Sequence, residues 1–261
     1  MTLKYISVET EGAVTTVTLI REAARNAINE AMLQEIEDAF RKPPAGTRCF
    51  VLAARGDHFC AGLDLREHYD KNRTPFEFMT MCQAWHRAFD IIQFSGIPVI
   101  AALQGAVVGG GLELAAATHV RIAETGTFFA LPEGQRGIFT GGGATVRVAR
   151  IVTPARMVDM MLSARTYDTQ RGLDLGLCHE IVGKGEALAK AKALAAQVAT
   201  HPPTTNYAIV TGIARINDMS TTEGLFTEGL LAMAVQTNPD IRDRLEDFFS
   251  KKTKRLEPDA G

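Results

Sequence analysis

From its first residues to about Glu186, the chain alternates between short apolar runs and amphipathic stretches with helical spacing. Parallel strands need a crossover between them, usually a helix, so this alternation indicates an α/β core with parallel pairing. Tyr5 to Glu9 and Val14 to Ile20 alternate around Glu11-Gly12 and predict a hairpin. Asn26 to Arg41 carries Ile28, Met32, Leu33, Ile36, Ala39 and Phe40 at helical spacing, and Pro43-Pro44 ends it. Cys49 to Ala53 reads as a strand, and the polar stretch Arg66 to Thr74 as a surface loop. Pro75 opens a long helix bearing Phe78, Met81, Cys82, Trp85, Phe89 and Ile92. Pro98 to Leu103 reads as a strand, Gly110 to Ala117 as a helix and His119 to Ala123 as a strand.

Past Glu186 the strands stop. Lys190 to Thr200, Pro203 to Met219, Thr222 to Thr237 and Pro239 to Lys254 all read as helices. The expected division is a core over residues 1–195 and a helical region over 196–261, packed outside the core against itself or another subunit.

Composition narrows the function classes. A formal net charge of −2 over 261 residues lacks the basic excess of a nucleic-acid binder. No apolar run reaches the roughly 18 residues of a membrane span. The opening MTLKYISVETEG has neither the apolar stretch of a signal peptide nor the arginine-rich character of a mitochondrial presequence. Cys49, Cys60, Cys82 and Cys178 are scattered, with no metal-ligand spacing. They are expected to be reduced thiols of a cytoplasmic protein without a bound metal.

Glycine clusters at Gly105, Gly109-Gly110-Gly111 and Gly141-Gly142-Gly143 mark places of close backbone approach. None spells a dinucleotide fingerprint or a P-loop. A helix opening near Gly110 would instead aim free amides and its positive dipole end at an oxyanion, with a second amide from the Ala61-Gly62-Leu63 turn. Two acids stand beside these glycines. Glu113 interrupts the otherwise apolar GGGLELAAA, and Glu133 follows Ala130-Leu131-Pro132. Each taken singly could be a satisfied buried carboxylate; together they suggest paired acid/base groups.

The segments HFCAGLDL, LQGAVVGGGLELA, VRIAE and FALPEGQRGIFTGGGAT, in that order, closely resemble the signatures of the crotonase superfamily, the enoyl-CoA hydratases and isomerases. The resemblance runs from the N-terminal hairpin and RNAIN to Phe248-Phe249-Ser250-Lys251. It implies a crotonase (ClpP-like) spiral of ββα units with a helical C-terminal trimerisation region. It also implies oxyanion amides at Leu63 and Gly110 and catalytic carboxylates at Glu113 and Glu133. Arg25, Ala61, Asp64, Leu65, Arg66, Phe248 and Lys251 would bind coenzyme A, the last two reaching a neighbouring subunit's site. The chain departs from the family pattern at His119, where many members have aspartate, and at Thr140 and Val146, where proline and glutamine are common.

The resemblance therefore implies a trimeric or hexameric enoyl-CoA hydratase with no cofactor beyond the coenzyme A of its substrate. Thioester hydrolysis or double-bond isomerisation at the same site is the alternative. A scaffold or RNA-binding member would lack the acid pair or carry a basic face. A serine peptidase of related fold would need a serine beside the glycines, and none occurs from Ala61 to Leu65 or Val108 to Leu114. His119 is expected to be structural and His58 to lie on the surface. Trp85 and His86 are expected to pack or cap, with pocket walls as the alternative, and KKTKR to be a solvated helix end or, alternatively, a contact for coenzyme A phosphates.

Overall fold

The predicted hairpin forms between β1 (Ile6–Glu11) and β2 (Val14–Leu19), paired antiparallel from Ile6↔Leu19 to Glu11↔Val14 in a computed structural model that describes residues 3–250. The helix expected from Asn26 starts later, as α1 (Glu30–Arg41). Asn26 sits at a φ of 55° and spends its side chain as a brace, donating to the carbonyls of Arg55 and His58 at 2.9 Å each. Asn29 is the true N-cap, accepting from the Met32 amide at 2.8 Å.

After β3 (Cys49–Ala54) the expected surface loop is in part a helix, α2 (Leu65–Lys71). Asp64 caps it by accepting from the amides of Arg66 and Glu67 at 3.0 and 3.1 Å, and Glu67 pairs with Lys71 one turn on at 3.4 Å. A polar run hides such a helix, because its stability comes from cap and surface pairs rather than an apolar stripe. Asn72 ends it in the left-handed region, and Thr74 with Glu77 forms a capping box for α3 (Pro75–Phe94).

The remaining strands of this part are β4 (Val99–Leu103), β5 (Ala106–Val108), β6 (Val120–Glu124), β7 (Phe128–Ala130) and β8 (Glu180–Val182). The helices among and after them are α4 (Gly110–Ala116), α5 (Ala144–Val152), α6 (Pro154–Ser163), α7 (Thr169–Asp174) and α8 (Ala187–Ala199). Six strands make one sheet in the order β1-β2-β3-β4-β6-β8, parallel throughout beyond the hairpin, while β5 and β7 pair as a separate parallel ribbon.

Both faces of the sheet are covered, as parallel sheets require. Along β3, Phe50 and Leu52 join the large cluster built with α1 and α3, while Cys49, Val51 and Ala53 join a second cluster on the opposite face. That second cluster is closed by Ala187, Ala191, Ala195 and Ala199 of α8. So α8, which straddles the expected boundary at residue 195, belongs to the core along its whole length: its small side chains let the helix lie directly on the sheet.

Two compact units compose the chain, Met1–Thr200 and His201–Gly261. Among its described residues the second contains α9 (Pro203–Ile216), α10 (Thr221–Val235) and α11 (Asp240–Phe249). Within it α9 and α10 pack closely, a Cβ on Gly212 falling 2.5 Å from Leu231 Cδ1. Leu225, Phe226, Met233, Phe248 and Phe249 of this unit are exposed. Among the described residues, no helix is long and apolar enough to cross a membrane.

Candidate active site

Two chain turns meet at the C-terminal end of β5. The segment after Cys60 is pinned on both sides, the Ile28 amide donating to Gly62 and the Asp64 amide to Ile28, at 2.7 and 2.9 Å. Between them the Leu63 amide makes no hydrogen bond among the described residues. Gly62, at a φ of 100°, allows the contact: a Cβ there would lie 2.9 Å from the Val108 carbonyl and 3.2 Å from the Gly110 nitrogen. Gly110 is the first residue of α4, and its amide likewise makes no hydrogen bond among the described residues. The two free donors are thus neighbours, 3.3 Å separating the Leu63 nitrogen from a Cβ built on Gly110.

Glu113 lies one turn into α4 and is buried. Its Oε1 accepts from the amides of Gly142 and Ala144, both at 2.9 Å, at the entrance of α5. Burial pushes this carboxyl up to about 7; the two amides and the Arg147 charge oppose that rise, and the Glu133 charge adds to it. Arg147 in turn donates to Gln93 Oε1 at 2.7 Å, Asp90 Oδ1 at 2.5 Å and the Gly142 carbonyl at 3.4 Å. It ties α3 to the loop that holds Glu113.

Glu133 opens a single 3-10 turn, Glu133–Arg136, directly after Pro132. It too is buried, yet its Oε2 has no hydrogen-bond partner. Burial pushes its carboxyl upward, against smaller pulls from a hydrogen bond to its own backbone and from the Arg136 charge. The buried hydroxyl of Thr140 is equally without a partner.

These groups face one cleft, lined among others by Ala61, Leu63, Leu65, Gly110, Glu113 and Glu133. Of the other sequence-derived candidates, Arg25, Asp64 and Arg66 do not line it. Arg25 is exposed, and its carbonyl accepts from the Ala61 amide at 3.0 Å. Asp64 caps α2 and pairs with Arg21 at 2.6 Å, and Arg66 lies outward, 3.9 Å from Asp70. Phe248 is exposed on α11, while Lys251 and the rest of KKTKR lie outside the described residues.

Several lining residues carried little advance signal. Trp85, expected to pack or cap with a pocket wall as the alternative, is buried against the bare α-carbons of Gly110 and Gly142 and walls the cleft. Phe78 and Met81 join it from the same helix, and His68, Arg136 and Phe139 come from α2 and the segment after Glu133. The heptad-like stripe of α3 announced a buried face, but which neighbours that face meets is a tertiary fact. His86 is exposed. His58 is half-buried rather than superficial, its Nδ1 accepting from the Ala106 amide at 3.1 Å. His119 is structural: Nδ1 accepts from Val99, Nε2 meets the Gln93 carbonyl, and burial pushes its pKa down to about 4.

Comparison with known proteins gives this geometry a context. The family model for enoyl-CoA hydratase/isomerase matches residues 9–257. The Arabidopsis thaliana protein named probable enoyl-CoA hydratase 2, mitochondrial, is 32% identical over 245 residues, 92% of this chain and 80% of that protein. The Escherichia coli 2,3-dehydroadipyl-CoA hydratase is 30% identical over 238 residues, 90% of this chain and 92% of that one. A crystal structure from Rhodopseudomonas palustris, assigned provisionally as an enoyl-CoA hydratase, superposes with a TM-score of 0.90 at 42% identity, covering 95% of each chain.

Proposed function

The chain belongs to the enoyl-CoA hydratase/isomerase family, and its fold is the crotonase fold. From that premise we propose that it adds water across the 2,3 double bond of an enoyl-CoA thioester. The thioester oxygen accepts from the amides of Leu63 and Gly110, which draws electron density from the β-carbon and stabilises the enolate formed on attack. Glu113 orients a water and takes its proton as the oxygen bonds to the β-carbon. Glu133 delivers its own proton to the α-carbon. Exchange with solvent then returns a proton to Glu133 and removes one from Glu113.

The asymmetry between the carboxyls carries this reading. Burial raises Glu113 to about 7, and the two amide bonds on one oxygen keep it from rising further, so its anion is available near neutrality, and a base must be an anion. Glu133 is buried with Oε2 unpaired, which favours its protonated form, and an acid must hold a proton. Two carboxyls this coupled titrate as a unit, so a single shared proton near neutrality supplies both roles.

Incubation with enoyl-CoAs of different tails, followed by mass spectrometry, separates the reactions. Hydration adds one water and leaves coenzyme A attached; isomerisation leaves the mass unchanged; hydrolysis releases free coenzyme A. Either of the last two alone would overturn the proposal. Around this centre we place the coenzyme A chain along Ala61 to Arg66, with Arg25 near the nucleotide. The exposed apolar residues of the helical unit suit a trimer or dimer of trimers. A monomer by light scattering that retains full activity would exclude that assembly. Four free cysteines accord with a reducing, cytoplasmic setting.

A further inference from the structure

Cys60 stands directly before the Ala61-Gly62-Leu63 turn and is fully buried. Burial pushes its thiol up to about 12, so it stays protonated and is no nucleophile near neutrality. It acts instead as donor and acceptor at once. Its Sγ donates to the Asn26 carbonyl at 3.0 Å and accepts from the Gly62 amide at 3.4 Å. The Asn26 end of this bridge is fixed, because the Asn26 side chain accepts from the Arg21 amide and donates to the carbonyls of Arg55 and His58.

The place of that bridge matters because its other end is a glycine. Two planar peptides flank Gly62, and glycine leaves the rotation between them freer than any other residue does. The following peptide carries the Gly62 carbonyl and the Leu63 N–H on opposite sides. With the carbonyl held by the Ile28 amide at 2.7 Å, the Leu63 N–H points the other way. The preceding peptide joins Ala61 to Gly62, and among the described residues the Cys60 thiol is its hydrogen-bond partner. We infer that Cys60 is a positioning residue for the oxyanion site: its thiol, bridging Asn26 and Gly62, holds the turn so that the Leu63 amide meets the thioester oxygen. The inference rests on the enoyl-CoA reading above and adds the group that fixes one of its two donors.

The test reads the thioester carbonyl itself. Butyryl-CoA is saturated and has no double bond to hydrate, and a heavy-carbon label at its carbonyl isolates that band in an infrared difference spectrum of the complex. Hydrogen bonds from the two amides lower the band's frequency. Wild type and Cys60→Ser, whose hydroxyl retains a donor and an acceptor, should both show the lowered band. Cys60→Ala should lose much of the lowering. Its hydration kcat should fall about tenfold with KM within about twofold, short of the roughly 10²–10³ of deleting a donor outright. Cys60→Val, which keeps bulk without a donor, gives the same reading if the alanine variant does not fold. Cys49→Ala deletes a buried thiol on the opposite face of the sheet, and should lower stability while leaving band and kcat unchanged. An unchanged band and kcat in Cys60→Ala would overturn the inference. So would a serine variant that falls as far as alanine, or weaker binding with the band unmoved, which would assign Cys60 to packing alone. A band that tracks the variants in a protein that hydrates no enoyl-CoA would instead sink the hydratase reading and leave the brace standing.

Discussion

Glu113 and Glu133 face one cleft from opposite chemical settings. Glu113 rides on a regular helix and is held by a second helix's first amides, so its position is fixed by two elements at once. Glu133 stands on a single 3-10 turn with one oxygen unpaired. Burial acts on both in the same direction, and backbone hydrogen bonds oppose it at both, two amides from another segment at Glu113 and its own backbone at Glu133. The comparison teaches how one low-dielectric site can keep a base and an acid side by side: identical side chains are separated by the number of donors given to each.

The largest effect expected is on turnover. Glu113→Gln and Glu133→Gln should each lower hydration by on the order of 10² or more, the contribution of one acid/base group. The two losses should differ in kind. Solvent-derived deuterium should still exchange into the α-position of a hydrated product in Glu113→Gln, whose acid remains, and be suppressed in Glu133→Gln. Near wild-type turnover in either purified variant removes that residue from the mechanism; exchange lost equally in both would erase the distinction between them.

The second effect is on stability, and its sign is opposite to that on activity. The folded-state pKa of Glu113, about 7, lies above the ordinary 4.5, so the native protein holds this proton more tightly than the unfolded chain. The resulting stabilisation is complete below pH 4.5 and is lost as pH rises through about 7. At about 1.4 kcal/mol per unit, the loss amounts to about 3 kcal/mol. Glu113→Gln cannot ionise and should escape it, so it should gain on the wild type between pH 5 and 8 in thermal or denaturant melts. Glu133→Gln should move the same way. A constant difference from wild type across that range would show that Glu113 is not the titrating group.

Much of this was legible beforehand, because it is local. The hairpin, the α/β alternation and Glu113 as a costly acid in an apolar helix all follow from periodicity and burial. The glycine clusters pointed to Glu133, to an amide near Gly110 and to the Ala61-Gly62-Leu63 turn; the family resemblance assigned the amides to Leu63 and Gly110, and the fold brings all four residues to one cleft. What was not legible depends on distant chain meeting distant chain. Trp85 became a cleft wall because Gly110 and Gly142 are bare beneath it, a Cβ on either falling 2.6 and 2.8 Å from its ring. For the same reason a side chain at Gly110 would displace Trp85 as well as test the amide. The helix α2 was hidden in a polar run, although Asp64 was present to cap it. Arg136 sat in the resemblance segment as one letter, and only the fold places it in the lining of the cleft, where its charge bears on Glu133.

The smallest effect tests how far the Glu113 corner depends on the residue behind it. Arg147 does not line the cleft, so it is a positioning residue rather than a catalytic one. It braces the Gly142 carbonyl, whose peptide loop gives Glu113 its amides, and its charge also favours the Glu113 anion. The charged and titratable groups bearing on that carboxyl are Glu133, Arg147 and, from α3, the Cys82 thiol, whose own pKa is pushed up by burial and by Glu113. Removing the arginine takes away a cation, so the base should ionise only at higher pH. Arg147→Gln should therefore move the acid limb of the pH–rate profile up by roughly half a unit to one unit and cost several-fold at pH 7. Arg147→Lys retains the charge while losing the three-way brace, so it should keep the limb in place and lower only the plateau. If both variants lowered the rate equally at every pH, the brace alone would matter. Glu113 would then owe its ionisation to the two amides, and the contrast with Glu133 would reduce to hydrogen bonding.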